Sequence, residues 1–119
     1  MTKMRAIVFD KQLALREVPH PVLSADEALL KIRVAGICNT DLELTKGYKD
    51  FSGILGHEFV AEIVEGIPDK IGQRVVGEIN VACGDCDFCT RQIPSQCRNR
   101  SAVGIFNHNA AFADYLALT

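Results

Sequence analysis

The stretch Cys83–Cys97, CGDCDFCTRQIPSQC, carries four of the five cysteines of this chain. They stand at Cys83, Cys86, Cys89 and Cys97, a spacing of C-x2-C-x2-C-x7-C. The two-residue gaps let successive sulfurs converge from a turn-rich backbone, and the longer gap lets the chain loop round with a fourth. Four thiolates converging on one ion are what a closed, tetrahedral structural zinc site needs. A disulfide framework belongs to an oxidising compartment, and MTKMRAIVFD at the N-terminus lacks the apolar segment of an export signal. A redox C-x-x-C pair is expected beside a βαβ pattern, which the chain lacks. The bacterial iron–sulfur run ends C-x3-C-P, whereas here the last gap is seven residues and Arg98 follows Cys97. The lobe from Asn80 to Arg100 has few large apolar residues beyond Val81, Phe88 and Ile93. Metal, not a hydrophobic core, is expected to hold it, since structural zinc contributes on the order of 10–16 kcal/mol to such folds.

Composition sets the frame for that lobe. The chain has 119 residues, 48% of them hydrophobic and 24% charged, with a net charge of −2. These values suit one domain with a real core. A charge balance this even argues against a broad nucleic-acid surface, and no apolar run approaches a membrane span. Free thiols and the missing export signal point to a reducing cytoplasm.

The rest of the chain reads mainly as strands. Arg5–Phe9 and Leu13–Val18 flank Asp10-Lys11-Gln12, a gap short enough for a hairpin. His20, between Pro19 and Pro21, is expected on a surface connector. From Glu27 to Val34 the pattern alternates, with Ala28, Leu30, Ile32 and Val34 on one face. Asn39–Lys46 reads as one or two helical turns capped by Asn39 or Thr40, and Gly47–Gly56 as loop. His57–Glu65, Arg74–Ile79 and Phe112–Leu118 read as further strands, and His108 as a loop histidine. Short strands with Gly and Pro punctuation and brief helices predict an all-β barrel.

A second constellation lies outside the lobe. Cys38 precedes Thr40 and Asp41 at the helix start, and His57 and Glu58 stand together in LGHEF. Thiolate, imidazole and carboxylate are the ligand types of a catalytic zinc that keeps one position open. A lone buried cysteine and an ordinary histidine beside a glutamate fit the same residues, so they leave both readings open.

The ordered set GICNTDLEL, LGHEFVAEIVE, GQRVVGEI and the cysteine lobe resembles the N-terminal part of the zinc-dependent alcohol dehydrogenases, within the medium-chain dehydrogenase/reductase family. The resemblance covers nearly the whole chain and implies a GroES-like β-barrel over residues 1–119, with its zinc lobe at 80–100. By resemblance, Cys38 and His57 correspond to catalytic-zinc ligands and Glu58 to a neighbouring carboxylate that binds the metal or sits just behind it. Asp41 corresponds to the acid that orients the ligand histidine, and Thr40 to the hydroxyl that relays the substrate's proton. Cys83, Cys86, Cys89 and Cys97 correspond to the structural-zinc cysteines. Some positions depart from the pattern. Glu43 stands where many relatives carry a relay histidine, Gln73 replaces an aspartate, and the segment between Glu65 and Gln73 is short. Asn109-Ala110-Ala111 replaces a D-G-G, so that turn is expected to differ or be strained.

The resemblance implies part of a zinc- and NAD(P)-dependent alcohol or polyol dehydrogenase acting on a small-molecule alcohol, with homo-oligomerisation open. No G-x-G-x-x-G opens a helix in these residues. The Rossmann cofactor domain and a remaining zinc ligand are therefore expected outside them, and the 119 residues by themselves are expected to be inactive. A stand-alone zinc-binding interaction module is the alternative. On that reading Arg91, Arg98 and Arg100 contact a partner's phosphates; otherwise they balance the negative charge of a four-thiolate zinc site. A chaperonin-like subunit would have no use for Cys38, His57 and Glu58.

Overall fold

The computed structural model describes residues 3–47, 50–105 and 108–118. Tyr48, in the expected loop, and Phe106 and Asn107, beside His108, lie outside the described residues. In chain order the elements are β1 (Lys3–Asp10), β2 (Gln12–Pro19), β3 (Ala28–Gly36), α1 (Asn39–Thr45), β4 (Gly53–Ile54), β5 (Glu58–Glu65), β6 (Arg74–Val76), β7 (Asn80–Val81), α2 (Asp87–Thr90), β8 (Ser101–Ala102) and β9 (Tyr115–Leu118). The chain is mainly β with short helices, as expected.

β1 and β2 form the predicted hairpin, in register from Lys3↔Pro19 to Asp10↔Gln12. Its tip is tight enough to hold Lys11 at φ 63°. β4, two residues within the expected loop, pairs with the other edge of β1 in the order β2-β1-β4. The second sheet runs β6-β5-β3-β9, and β7 and β8 form a small pair beside the cysteine lobe. An Ala6↔Ala113 bridge and the Ile7 N–H donating to the Phe112 carbonyl at 2.7 Å tie the two larger sheets together.

β5 shows the alternation its sequence predicts. Phe59, Ala61 and Ile63 are buried and pack with Ala28 and Leu30 of β3 and Leu116 and Leu118 of β9. β3 departs from expectation. Its register against β5 passes from Ile32↔Ala61 to Val34↔Val60, leaving Arg33 as an extra residue. Such a bulge reverses the facing of everything beyond it. Val34 is thus 65% exposed rather than buried, while Ala35 packs against the core. The Arg33 guanidinium donates to Glu62 at 2.6 Å across the irregularity.

A second cluster, Phe9, Leu44, Phe51 and Leu55, anchors α1 through the fully buried Leu44. The expected strand Arg74–Ile79 stops at Val76. His20 is half-buried, its ring centroid 4.7 Å from that of Tyr115, not simply a surface residue. Of the two outcomes expected for the turn at Asn109-Ala110-Ala111, left-handed strain is not the one adopted, since none of the three has positive φ. The left-handed residue nearby is Gly104, at φ 69°. A Cβ there would lie 2.8 Å from the Ala110 Cβ, so the methyl of Ala110 occupies room that only a glycine leaves. Asn109 contributes by accepting the Ile54 N–H at 3.1 Å.

Candidate metal centres

The cysteine lobe is built from turns. Cys83 follows β7, Cys86 is the N-cap of α2, Cys89 lies within α2, and Cys97 follows a 3-10 turn at Pro94–Gln96. The four Sγ atoms lie within 4.8 Å of one another. Cys83 and Cys89 are 3.9 Å apart, as are Cys86 and Cys97. A tetrahedron with zinc–sulfur bonds of about 2.3 Å has edges of about 3.8 Å, so the cup fits that ion. A disulfide needs about 2.05 Å, and all five cysteines are free thiols.

Backbone N–H groups point into the cup. Cys83 N–H donates to Cys97 Sγ at 3.2 Å, and Cys86 N–H to Cys83 Sγ at 3.3 Å. The backbone N–H groups of Arg98 and Cys89 lower the Cys86 thiol to about 6. The Cys83 and Asn99 backbone N–H groups lower Cys97. At Cys89 the Gly84 N–H pulls downward, but burial and the neighbouring sulfurs outweigh it and push the thiol up to about 12. At Cys83 the Asp85 backbone also pulls downward, yet the Asp85 side chain, burial and Cys97 leave it raised. Four sulfurs this close compete for negative charge, and a divalent cation removes the competition by stabilising every thiolate.

The second set is assembled by sheet register. Antiparallel pairing of β3 with β5 sets Gly36 opposite Glu58. Cys38, two residues past the end of β3, therefore meets His57 and Glu58 at the start of β5. One ligand atom from each of Cys38, His57 and Glu58 lies within 4.8 Å of the other two. The N-cap of α1 is Cys38 itself, not Asn39 or Thr40. The acceptor sits at the third helical residue, where Asp41 Oδ2 takes the Cys38 N–H at 2.9 Å.

Asp41 is 3% exposed and His57 9%. Asp41 Oδ1 and His57 Nδ1 face each other at 3.4 Å, buried and without a better partner. A proton on Nδ1 directed at this carboxylate leaves the Nε2 lone pair facing outward. Nε2 lies 3.7 Å from Glu58 Oε2. A lone pair, a carboxylate and a thiol turned toward one point fit a cation. Thr40 Oγ1 is 3.7 Å from Cys38 Sγ. Glu43 stands apart from this group, exposed, with Lys46 at 3.9 Å. His108 remains a loop histidine, its Nδ1 2.6 Å from the Asn109 carbonyl.

The pairing of Asp87 with Arg98, at 2.6 and 2.9 Å, is not among the features expected from the sequence. Its signal was opposite charges directly following Cys86 and Cys97.

The model of the alcohol dehydrogenase GroES-like domain matches residues 24–119. The L-threonine 3-dehydrogenase of Shewanella baltica (strain OS155) is 33% identical over 129 residues, covering 99% of this chain and 36% of that enzyme. The alcohol dehydrogenase TADH of Thermus sp. ATN1 superposes with a TM-score of 0.82 at 37% identity, covering 97% of this chain and 37% of the Thermus chain. An Escherichia coli alcohol dehydrogenase complexed with NADH gives 0.84 at 30% identity, covering 98% of this chain and 36% of its own. The chain spans about a third of the length of the curated relatives it matches. It belongs to the alcohol dehydrogenase GroES-like domain family.

Proposed function

We propose that these residues form the N-terminal catalytic part of a zinc- and NAD(P)-dependent alcohol or polyol dehydrogenase. Cys83, Cys86, Cys89 and Cys97 hold a structural zinc, and Cys38, His57 and Glu58 contribute to a catalytic one. The observation that carries this reading is the buried Asp41–His57 contact, which turns Nε2 toward Cys38 and Glu58. A zinc ion held there supplies Lewis acidity for alcohol oxidation. The chain's own residues do the rest. Asp41 orients the His57 ring and holds the Cys38 backbone, and the Thr40 hydroxyl, 3.7 Å from Cys38 Sγ, carries the substrate's proton outward. The nicotinamide domain and a further zinc ligand come from sequence outside these residues. The five free thiols suit a reducing compartment such as the cytoplasm. Among the described residues no helix is long and apolar enough to cross a membrane.

Elemental analysis of zinc per chain, on wild type and on Cys86→Ser, tests the reading. About one zinc, lost in the variant, supports the structural site; about two means the second site forms unaided. Wild-type protein without zinc contradicts the proposal. The 119 residues alone should show no NAD(P)-linked alcohol oxidation, and turnover above buffer would refute the placement of cofactor binding elsewhere.

A further inference from the structure

The four-cysteine cup has a seam. Cys83, Cys86 and Cys89 lie on one continuous turn-and-helix segment, whereas Cys97 arrives separately after the 3-10 turn. Opening the cup means parting Cys97 from α2. Besides the contacts of the sulfurs themselves, among them the Asn99 amide 4.0 Å from Cys83 Sγ, one set of side chains spans that gap outside the cup. Asp87, next to Cys86, accepts two bonds from Arg98, next to Cys97: Nε to Oδ1 at 2.6 Å and Nη2 to Oδ2 at 2.9 Å. The Arg98 guanidinium also lies 4.6 Å from the Phe88 ring centroid, and Arg91 lies 4.9 Å from the same centroid. Arg98 thus grips two consecutive residues of α2 through a planar fork and a stacking face.

We infer that Asp87 and Arg98, backed by Phe88, form a clip outside the cup that slows its opening and sets how long it keeps its metal. The inference rests on the four cysteines holding zinc, as proposed above. Exposed ion pairs are usually worth little because long side chains lose freedom and salt screens them. This one has bidentate geometry and an aromatic backing, and it bridges the seam that metal release must break. Neither residue supplies a metal ligand. The clip acts on the dissociation rate, because it resists separation without forming a bond to the ion. Arg100 does not take part; its Nη1 is directed at the Ser95 carbonyl at 3.4 Å.

The test is zinc release from the zinc-loaded chain to excess chromophoric chelator, followed by absorbance. Arg98→Ala and Asp87→Asn should each release zinc roughly 3- to 10-fold faster than wild type, the size expected for losing one charge-assisted bidentate pair. The double reversal Asp87→Arg with Arg98→Asp should recover part of the lost retention. Molar salt should speed wild type toward the variants while leaving Arg98→Ala little changed. Release at the wild-type rate in both single variants, with zinc present, overturns the clip while leaving the zinc site standing. A reversal no slower than the single variants also overturns it, since a role confined to local packing would not be rescued. Wild-type chain that carries no zinc overturns the zinc reading and the clip together.

Discussion

The cysteine lobe and the Cys38–His57 site reach similar ends by opposite routes. The lobe draws its four sulfurs from fifteen consecutive residues, and of its four cysteines only Cys97 is buried. Little apolar packing holds it, and its shape depends on N–H···S contacts, one surface clip and the ion it fits. The second site draws on β3, α1 and β5, and its supporting groups are buried: Leu44 under the helix and Asp41 beneath the histidine. On the proposed reading, the metal organises the chain in the first, and in the second the chain sets the ligands before any metal arrives.

That contrast can be sharpened at Asp41. Asp41→Ala removes the acceptor of the Cys38 N–H and, in the same step, the carboxylate that faces the buried His57 Nδ1. A buried polar group left unsatisfied costs about 1–3 kcal/mol. Urea unfolding of the variant should show a loss of that order, while zinc retention by the lobe stays at the wild-type level. Unchanged stability, or zinc lost from the lobe as well, would erase the distinction between the two regions.

A smaller effect should come from the strip that joins the sheets. The Arg5 backbone N–H donates to Asp114 at 2.9 Å and the Arg5 guanidinium lies at 3.4 Å, and together they hold the Asp114 carboxyl below its usual range. An unfolded aspartate titrates near about 3.9. With the folded value lower, the unfolded chain binds more protons between the two. This contribution is therefore complete above the unfolded value and lost as pH falls through the folded one. Asp114→Asn should lower the urea midpoint slightly at neutral pH, with the difference from wild type vanishing as pH falls through the folded value, so that the variant's acid limb is flatter. An unaltered acid limb would remove Asp114 from the sheet junction.

How much of this was legible depends on how local the cause is. Cysteine spacing and the period-two burial of Phe59, Ala61 and Ile63 are written in adjacent residues, and both were readable. The hairpin around Lys11 was readable for the same reason. The bulge at Arg33 was not, because it arises from matching two strands about thirty residues apart rather than from either strand. Val34 was misplaced in consequence. The helix cap lies one residue earlier than expected, on Cys38, because Cys38 and Asp41 inside the helix form a reciprocal capping box that short polar residues at 39 and 40 do not reveal. The alanines at 110 and 111 promised strain that does not arise, because neither takes positive φ, and the Ala110 methyl fills room left by Gly104. The grouping of Cys38 with His57 came from family resemblance; its physical cause is the pairing of Gly36 with Glu58.

Two-dimensional amide spectra of the zinc-loaded chain, recorded before and after stripping by chelator, bear most directly on the contrast between the regions. Amides of residues 83–97 should collapse toward unfolded shifts while those of β3, α1 and β5 keep their dispersion. Full dispersion across 83–97 after verified zinc removal, or collapse of the whole spectrum together, would contradict a metal-shaped lobe set on an independently folded barrel.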